Sequence, residues 1–281
     1  MHLQWFPGHM TRAIRMMEEE VKLVDGVIFV LDARAPFACL NKRLSAVFSN
    51  KPVLYVFNKS DLVETYELKN VIKQFEQENK RVLTSIGTSE KSGKLLYDAV
   101  FQMLKPVLDR NKNKGIKKPL RVMVVGIPNT GKSTLINLLT GGKKARTGDK
   151  AGVTKDKQWV KVKDLELLDT PGTTPPSFDS QSNAEHLAFI GSINDDILDF
   201  VELALDLIKY LCERYPNAIK STYSVETDGV EPLETLNAIA KKRGALKKGG
   251  EIDLERVASI LINDLRKGKL GKILFIENAN D

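Results

Sequence analysis

Two unbroken apolar runs stand out early in the chain, Val27–Leu31 (VIFVL) and Val53–Phe57 (VLYVF). Strands buried on both faces of a parallel sheet read this way, without in-out alternation. Arg81–Ile86 is a third strand candidate and Leu120–Val125 (LRVMVV) a fourth. Between them, helix-period segments lie near 40–50, 64–79 and 92–108. Strands alternating with helices predict an α/β fold, a mostly parallel sheet with helices on both faces. Ligands on such sheets bind beyond the carboxyl ends of the strands. A helix is expected from about Lys132 to Leu139, then a hairpin of Trp159–Val162 and Leu165–Leu168.

Past Pro176 the periodicity becomes helical. Ile197, Leu198, Val201, Leu205, Ile208 and Leu211 recur at helical spacing, as do Leu254, Val257, Leu261 and Leu265. This change sets a domain boundary near 175, giving units at 1–175 and 176–281. Asp109–Pro119 (DRNKNKGIKKP) is polar and basic and is expected to be an unstructured surface linker. No internal repeat is visible.

Each predicted strand end carries candidate chemistry. GIPNTGKS, from Gly126 to Ser133, fits the phosphate-cradling pattern GxxxxGK[ST] and lies between a strand and a helix. Its residues Gly126, Pro128, Asn129, Thr130, Gly131, Lys132, Ser133 and Thr134 can turn N–H groups and a helix N-terminus onto phosphate oxygens. Lys132 would neutralise the β- and γ-phosphates, and the Ser133 hydroxyl would bind Mg²⁺. This motif names a nucleoside triphosphate but not its base. Asn58-Lys59-Ser60-Asp61 names guanine. The Asp61 carboxylate can accept from guanine N1–H and the exocyclic amine, a pair adenine lacks. Asn58 would meet the acceptor edge, and the Lys59 stem would lie along the ring. Ser85 and Ile86, closing the third strand, complete the candidate base site. A bare NKxD is otherwise an ordinary turn.

Asp169-Thr-Pro-Gly172 supplies the third element: Asp169 holding Mg²⁺ through water, and the Gly172 N–H reaching the γ-phosphate. Thr154, 21 residues after Ser133, could complete the Mg²⁺ shell only while the γ-phosphate is present. Loss of that phosphate would release both segments, the physical basis of a switch. The order is circularly permuted. In ordinary small GTPases the phosphate loop comes first, whereas here NKSD precedes it by about 70 residues. Permutation leaves the segment after Asp169 beside a former chain end, which a downstream domain must anchor. The helices after 175 occupy that place, so nucleotide state is expected to be transmitted to them.

Composition changes the picture only in part. The 281 residues are 42% hydrophobic and 28% charged, an ordinary globular balance. No apolar stretch of roughly 18 residues predicts a membrane span. Arg12 and Arg15 in an acid-free start faintly suggest a transit peptide, but Glu18, Glu19 and Glu20 follow at once, so no cleaved leader is expected. Cys39 and Cys212 lack metal-type spacing and read as idle thiols in a reducing cytosol. Net charge is +7, but residues from 176 on hold 13 Lys/Arg against 18 Asp/Glu. Within that acidic part, Lys241, Lys242, Arg243, Lys247 and Lys248 form one basic cluster, and Arg266, Lys267, Lys269 and Lys272 another. Such runs are usually solvated helix faces. Their segregation, with few aromatics nearby, fits phosphate and shape recognition of RNA.

Together, Trp5-Phe-Pro-Gly-His9-Met, Asp32-Ala-Arg-Ala-Pro36, NKSD, GIPNTGKS, GVTK and DTPG resemble the circularly permuted bacterial ribosome biogenesis GTPase A (YlqF-like) family. Lys242-Arg243-Gly244 and the Gly250–Gly271 stretch are similar to that family's C-terminal RNA-binding helical domain. The resemblance implies a cytoplasmic, monomeric GTPase acting in late assembly of the large ribosomal subunit. It would bind GTP/GDP and rRNA or the subunit precursor, which would stimulate hydrolysis. Position 173, after the DTPG glycine, is Thr rather than the small-GTPase Gln or the family's bulky apolar residue. The water-orienting group must come from elsewhere, and by resemblance it is His9; the competing reading is a histidine that caps or packs the helix near Thr11. Asn129 is by resemblance a candidate K⁺ ligand, or else a loop-stabilising side chain. The alternative function is an RNA-binding scaffold with GTP as a structural ligand.

Overall fold

The computed structural model describes residues 8–40, 42–78, 80–142, 158–173 and 180–276; the side chains of residues 8–13 and 42–43 lie outside the description. Six strands form one sheet in the order β3-β2-β1-β4-β6-β5. These are β1 (Gly26–Asp32), β2 (Val53–Asn58), β3 (Arg81–Thr84), β4 (Leu120–Val125), β5 (Gln158–Val162) and β6 (Leu165–Asp169). Every neighbouring pair is parallel except the β5–β6 hairpin. The unbroken apolar run of β1 is matched by burial at all seven positions, because strands cover both its edges and helices cover both its faces.

Strand pleating sends alternate side chains to opposite faces. Ile28, Val30, Leu54, Val56, Val122 and Val124 pack with Leu96, Val100, Leu135 and Ile136. Those partners come from α5 (Glu90–Met103) and α7 (Lys132–Thr140). Phe29, Leu31, Tyr55, Phe57, Met123 and Val125 face the other way. They meet α1 (Gly8–Glu20), α2 (Pro36–Cys39), α3 (Lys42–Val47) and α4 (Thr65–Gln77). The same core continues without a break into the later helices α8 (Gln181–Phe189), α9 (Phe200–Arg214), α10 (Asn217–Tyr223), α11 (Pro232–Arg243) and α12 (Leu254–Arg266).

Three expectations need correction. The segment 109–119 is not wholly irregular: α6 (Lys105–Asn113) runs into it. Pro106 fits a first helical turn, where its missing N–H costs nothing, and Arg110 and Lys112 sit favourably at the helix C-terminus. The helical pattern near 92–108 is therefore two helices, α5 and α6, broken at Leu104. The third strand also stops at Thr84, leaving Ser85 and Ile86 in the loop beyond it.

Candidate nucleotide-binding site

Parallel strands end on the same side, so pairing alone gathers the motif segments. Asp32 stands beside Asn58 in the β1–β2 register, and Asp169 beside Val124 in β4–β6. The NKSD and phosphate-loop segments, far apart in the chain, then bond directly. Asn58 Nδ2 donates to the Thr130 carbonyl at 2.8 Å, and Lys59 Nζ donates to the Asn129 carbonyl at 2.8 Å. The contact leaves no room for a side chain at position 131. A Cβ on Gly131 would lie 2.2 Å from Asn58 Nδ2, and its φ of +92° already favours glycine. Lys59 and Asn129 are themselves held at φ +60°, a conformation that costs a non-glycine residue about 1 kcal/mol. Such local strain survives where surrounding bonds over-determine it.

Around this junction the charges are buried. Lys59 Nζ also pairs with Asp32 Oδ2 at 2.8 Å. Arg34 grips the same carboxylate through Nε to Oδ1 (3.0 Å) and Nη2 to Oδ2 (2.8 Å). Burial pushes the Asp32 pKa up, but Arg34 and Lys59 outweigh it and hold the carboxyl far below its ordinary range. Sequence reading missed this role for Asp32 and Arg34. The signal was partial: Asp32 closes a buried strand and Arg34 follows it, but the pairing of Asp32 with Asn58 is set by the sheet.

The phosphate side is built from β4, α7 and β6. Burial pushes Lys132 down to about 8, against the pull of Asp169. Its Nζ donates to the Ile127 carbonyl at 2.8 Å. Ser133 Oγ donates to Asp169 Oδ2 at 3.1 Å. Asp169 Oδ1 is buried with no partner among the described residues, and burial raises its carboxyl pKa despite Lys132 and Ser133. Gly172 presses against the loop so closely that a Cβ would lie 2.8 Å from Pro128 and 3.1 Å from Lys132 Nζ. Buried oxygens without partners among the described residues also occur at Asn58 Oδ1, Ser85 Oγ and Thr173 Oγ1. Buried polar atoms are normally satisfied, so this cluster around one cleft marks a place for a polar ligand.

The base-side residues converge as well. Ser60 N–H donates to the Ser85 carbonyl at 3.2 Å, and Ile86 N–H to Ser92 Oγ at 3.1 Å. Gly87 lies against both Asn58 and Thr134. Asp61 is exposed at the mouth of this group. Thr154 lies outside the described residues, and so does the His9 side chain, although residue 9 falls within α1. Asn129 Nδ2 donates to the Gly191 carbonyl at 2.6 Å. Cys39 is buried and its thiol is pushed up to about 12 by burial, which leaves it inert. No group of three or more His, Cys, Asp or Glu among the described residues could hold a metal.

The comparisons with known proteins agree with this geometry. A family described as "50S ribosome-binding GTPase" matches residues 121–242. Ribosome biogenesis GTPase A from Bacillus cereus is 38% identical over 98% of this chain and 94% of its own length. The chain belongs to the ribosome biogenesis GTPase A family. Two solved structures of that family, YlqF, superpose on nearly the whole chain. GNP-bound YlqF from T. maritima gives a TM-score of 0.62 at 29% identity, covering 94% of this chain and 97% of that one. The GDP-bound form gives 0.64 at 28% identity, covering 95% and 100%. The circularly permuted P-loop GTPase fold follows from both lines, since NKSD precedes the phosphate loop in sequence and abuts it in space.

The C-terminal basic residues divide in two. Lys241, Lys242, Arg243, Lys247 and Lys248 are exposed at and beyond the end of α11, and Lys267, Lys269 and Lys272 beyond α12. The clusters meet at buried Asp264, which pairs with Lys269 at 2.8 Å and Arg243 at 3.4 Å and accepts from the Tyr223 hydroxyl at 2.9 Å. Arg266 departs from the expected phosphate-contacting role. Its Nη1 and Nη2 each reach Asp195 at 2.8 Å, and Nη2 and Nε donate to the Ala188 and Phe189 carbonyls at 2.9 and 3.2 Å. That side chain is only 16% exposed, and its Nε, Nη1 and Nη2 are all engaged within the protein.

Proposed function

We propose that this ribosome biogenesis GTPase is a GTP-hydrolysing switch in late assembly of the large ribosomal subunit. In this reading residues 1–175 hold nucleotide, and 176–281 meet rRNA or the subunit precursor. The observation that carries it is the paired junction of Asn58 with Thr130 and Lys59 with Asn129, which puts base-reading and phosphate-binding chemistry around one cleft. The names of the relatives, ribosome biogenesis GTPase A and 50S ribosome-binding GTPase, support the partner.

Each residue then has a task. Asp61 reads the guanine N1–H and amine, while Asn58, Ser85 and Ile86 line the base. Lys132, buried beside Asp169, receives phosphate oxygens, and loop N–H groups from 126–133 cradle them. The oxygen donors Ser133 and the partnerless Asp169 Oδ1 fit Mg²⁺, which takes few protein oxygens beside phosphate and water. Thr154 joins that set in the triphosphate state. Bound Mg²⁺ would supply neutralisation of charge on the transferring phosphoryl group. Gly172 senses the γ-phosphate, and His9 orients water. Asn129 is the candidate K⁺ ligand. No helix among the described residues is long and apolar enough to cross a membrane, and we assign a cytoplasmic, monomeric protein.

The test is multiple-turnover phosphate release with and without purified large subunits. The expected result is stimulation by the subunits, and at least tenfold slower turnover in His9→Ala with GTP affinity retained. Nucleotide-dependent subunit binding without stimulation would replace the switch with an RNA-binding scaffold that keeps GTP as a structural ligand.

A further inference from the structure

The turn after α8 touches the phosphate loop twice. Ser192 Oγ donates to the Pro128 carbonyl at 2.8 Å, and the Gly191 carbonyl accepts from Asn129 Nδ2 at 2.6 Å. Ser192 is almost wholly buried, as is the turn's apolar flank at Phe189, Ile190 and Ile193. The turn is also tied back to α8, with the Ser192 N–H donating to the Leu187 carbonyl at 2.8 Å and the Gly191 N–H to the Ala188 carbonyl at 3.1 Å. Its carbonyls at Ala188 and Phe189 face the last turn of α12, where Arg266 takes both and adds the bidentate pair with Asp195. Gly191, at φ +78°, lies flat against that guanidinium: a Cβ there would stand 3.1 Å from Arg266 Nε.

A second arm leaves the same residue. The Arg266 carbonyl accepts from Arg34 Nη1 at 3.4 Å. Arg34 in turn fixes Asp32, which fixes Lys59 beside Asn129. The backbone just beyond α12 reinforces this arm, since the Phe275 N–H donates to the Arg34 carbonyl at 2.6 Å and the Ile273 N–H to the Leu62 carbonyl at 3.0 Å. Both loops that face the nucleotide cleft are thus braced at one residue, the phosphate loop through the Arg266 side chain and the NKSD loop through its backbone carbonyl. Next to it in the chain come Lys267 and Lys269, both exposed.

We propose that Arg266 is a positioning residue for the nucleotide site: it clamps the Ala188–Ser192 turn under the phosphate loop and so ties nucleotide affinity to the basic end of α12. This rests on the function proposed above and deepens it by assigning the regulation of that site. An Arg suits the task because its planar fork can hold a carboxylate bidentately and still reach two carbonyls. A Lys could not make this set. When anionic RNA engages Lys267 and Lys269, any shift of the α12 end moves the clamp and, through it, Pro128 and Asn129. The reverse path follows by linkage: nucleotide that orders the loop also favours the docked arrangement of α12.

The experiment compares Arg266→Gln, Ser192→Ala and the double variant in the full chain. GDP affinity is read with a fluorescent GDP, and binding to purified large-subunit rRNA is read across a salt series. The expected result is GDP binding weakened about tenfold in Arg266→Gln and a few-fold in Ser192→Ala. The double variant should be no weaker than Arg266→Gln alone, because the two residues act in series. The rRNA salt slope should be unchanged in Arg266→Gln, while Lys267→Gln flattens it by about 0.9. GDP affinity equal to wild type in both single variants would overturn the proposal, as would multiplicative losses in the double. A flattened slope in Arg266→Gln would return that residue to the RNA surface. Should Arg266→Gln fail to fold, Asp195→Asn takes its place, since it weakens the clamp's bidentate pair at a half-exposed carboxylate; GDP affinity equal to wild type in it would then overturn the proposal. Absence of GDP binding by the wild-type chain would instead sink the proposed function itself.

Discussion

The cleft and the C-terminal basic surface both use charge, but they use it in opposite ways. At the cleft, Asp32, Arg34 and Lys132 are buried with short lists of fixed partners. At the ends of α11 and α12 the basic side chains themselves are exposed, Arg243 and Lys269 reaching one buried carboxylate at Asp264 and Lys272 a half-exposed one at Glu64. Desolvated charges are expensive to leave unpaired and fix geometry, which suits recognition of one molecule. Exposed charges are weak individually, screened by salt and tolerant of position, which suits an extended polyanion. Arg266 sits beside the second region in sequence and belongs with the first in structure.

Four changes sharpen this contrast, in falling order of expected effect. Asp61→Asn should shift preference from guanosine to xanthosine nucleotides, with GTP discrimination lost by about 10⁴; a binding competition that still favours GTP fully would remove Asp61 from the base site. Asp32→Asn should destabilise the fold by about 3–5 kcal/mol, because it strands buried Arg34, as read by denaturant unfolding. The wild-type carboxyl titrates below its ordinary value of 3.8. Its stabilisation is therefore present above that pH and lost as pH falls beneath it. Unfolding of Asp32→Asn should accordingly be less sensitive to acid than that of wild type.

The smaller effects separate the regions by what modulates them. Lys132 titrates at about 8 in the free protein, and phosphate contact should restore its proton. GDP affinity is then flat below that pH and weakens above it, by up to about tenfold per unit. Lys132→Arg should lack this component, and the comparison subtracts guanine's own ionisation. Identical pH dependence in the two proteins would exclude proton uptake at Lys132. Replacing Lys241, Lys242 and Arg243 by Gln should reduce the salt slope of subunit binding by up to about 3 and leave pH dependence alone. An unchanged slope would take this patch out of the contact surface.

Much of this was legible along the chain. The buried strands announced themselves because a strand covered on both faces needs an unbroken apolar run, as Val27–Leu31 and Val53–Phe57 are. The phosphate loop was legible for a related reason: anion cradling restricts local backbone, and glycines at 126 and 131 record that restriction. Residues that act through distant partners left weaker marks. Arg266 occurs in a basic run, and nothing beside it signals Ala188, Phe189 or Asp195, some seventy positions away. The helix α6 was hidden because polar, basic residues on an exposed helix resemble those of a linker.

By itself, the amino-acid order determined the strand and helix types, the permuted sequence of motifs and the chemistry each motif can perform. These depend on local conformation and on side-chain identity, both carried within a few residues. Only the tertiary structure decided that Asp32 and Arg34 brace the NKSD lysine, that the C-terminal helices continue the core of one sheet face, and that Arg266 faces inward. Those outcomes depend on which groups lose water together, and burial is a property of the assembled fold rather than of any stretch of chain.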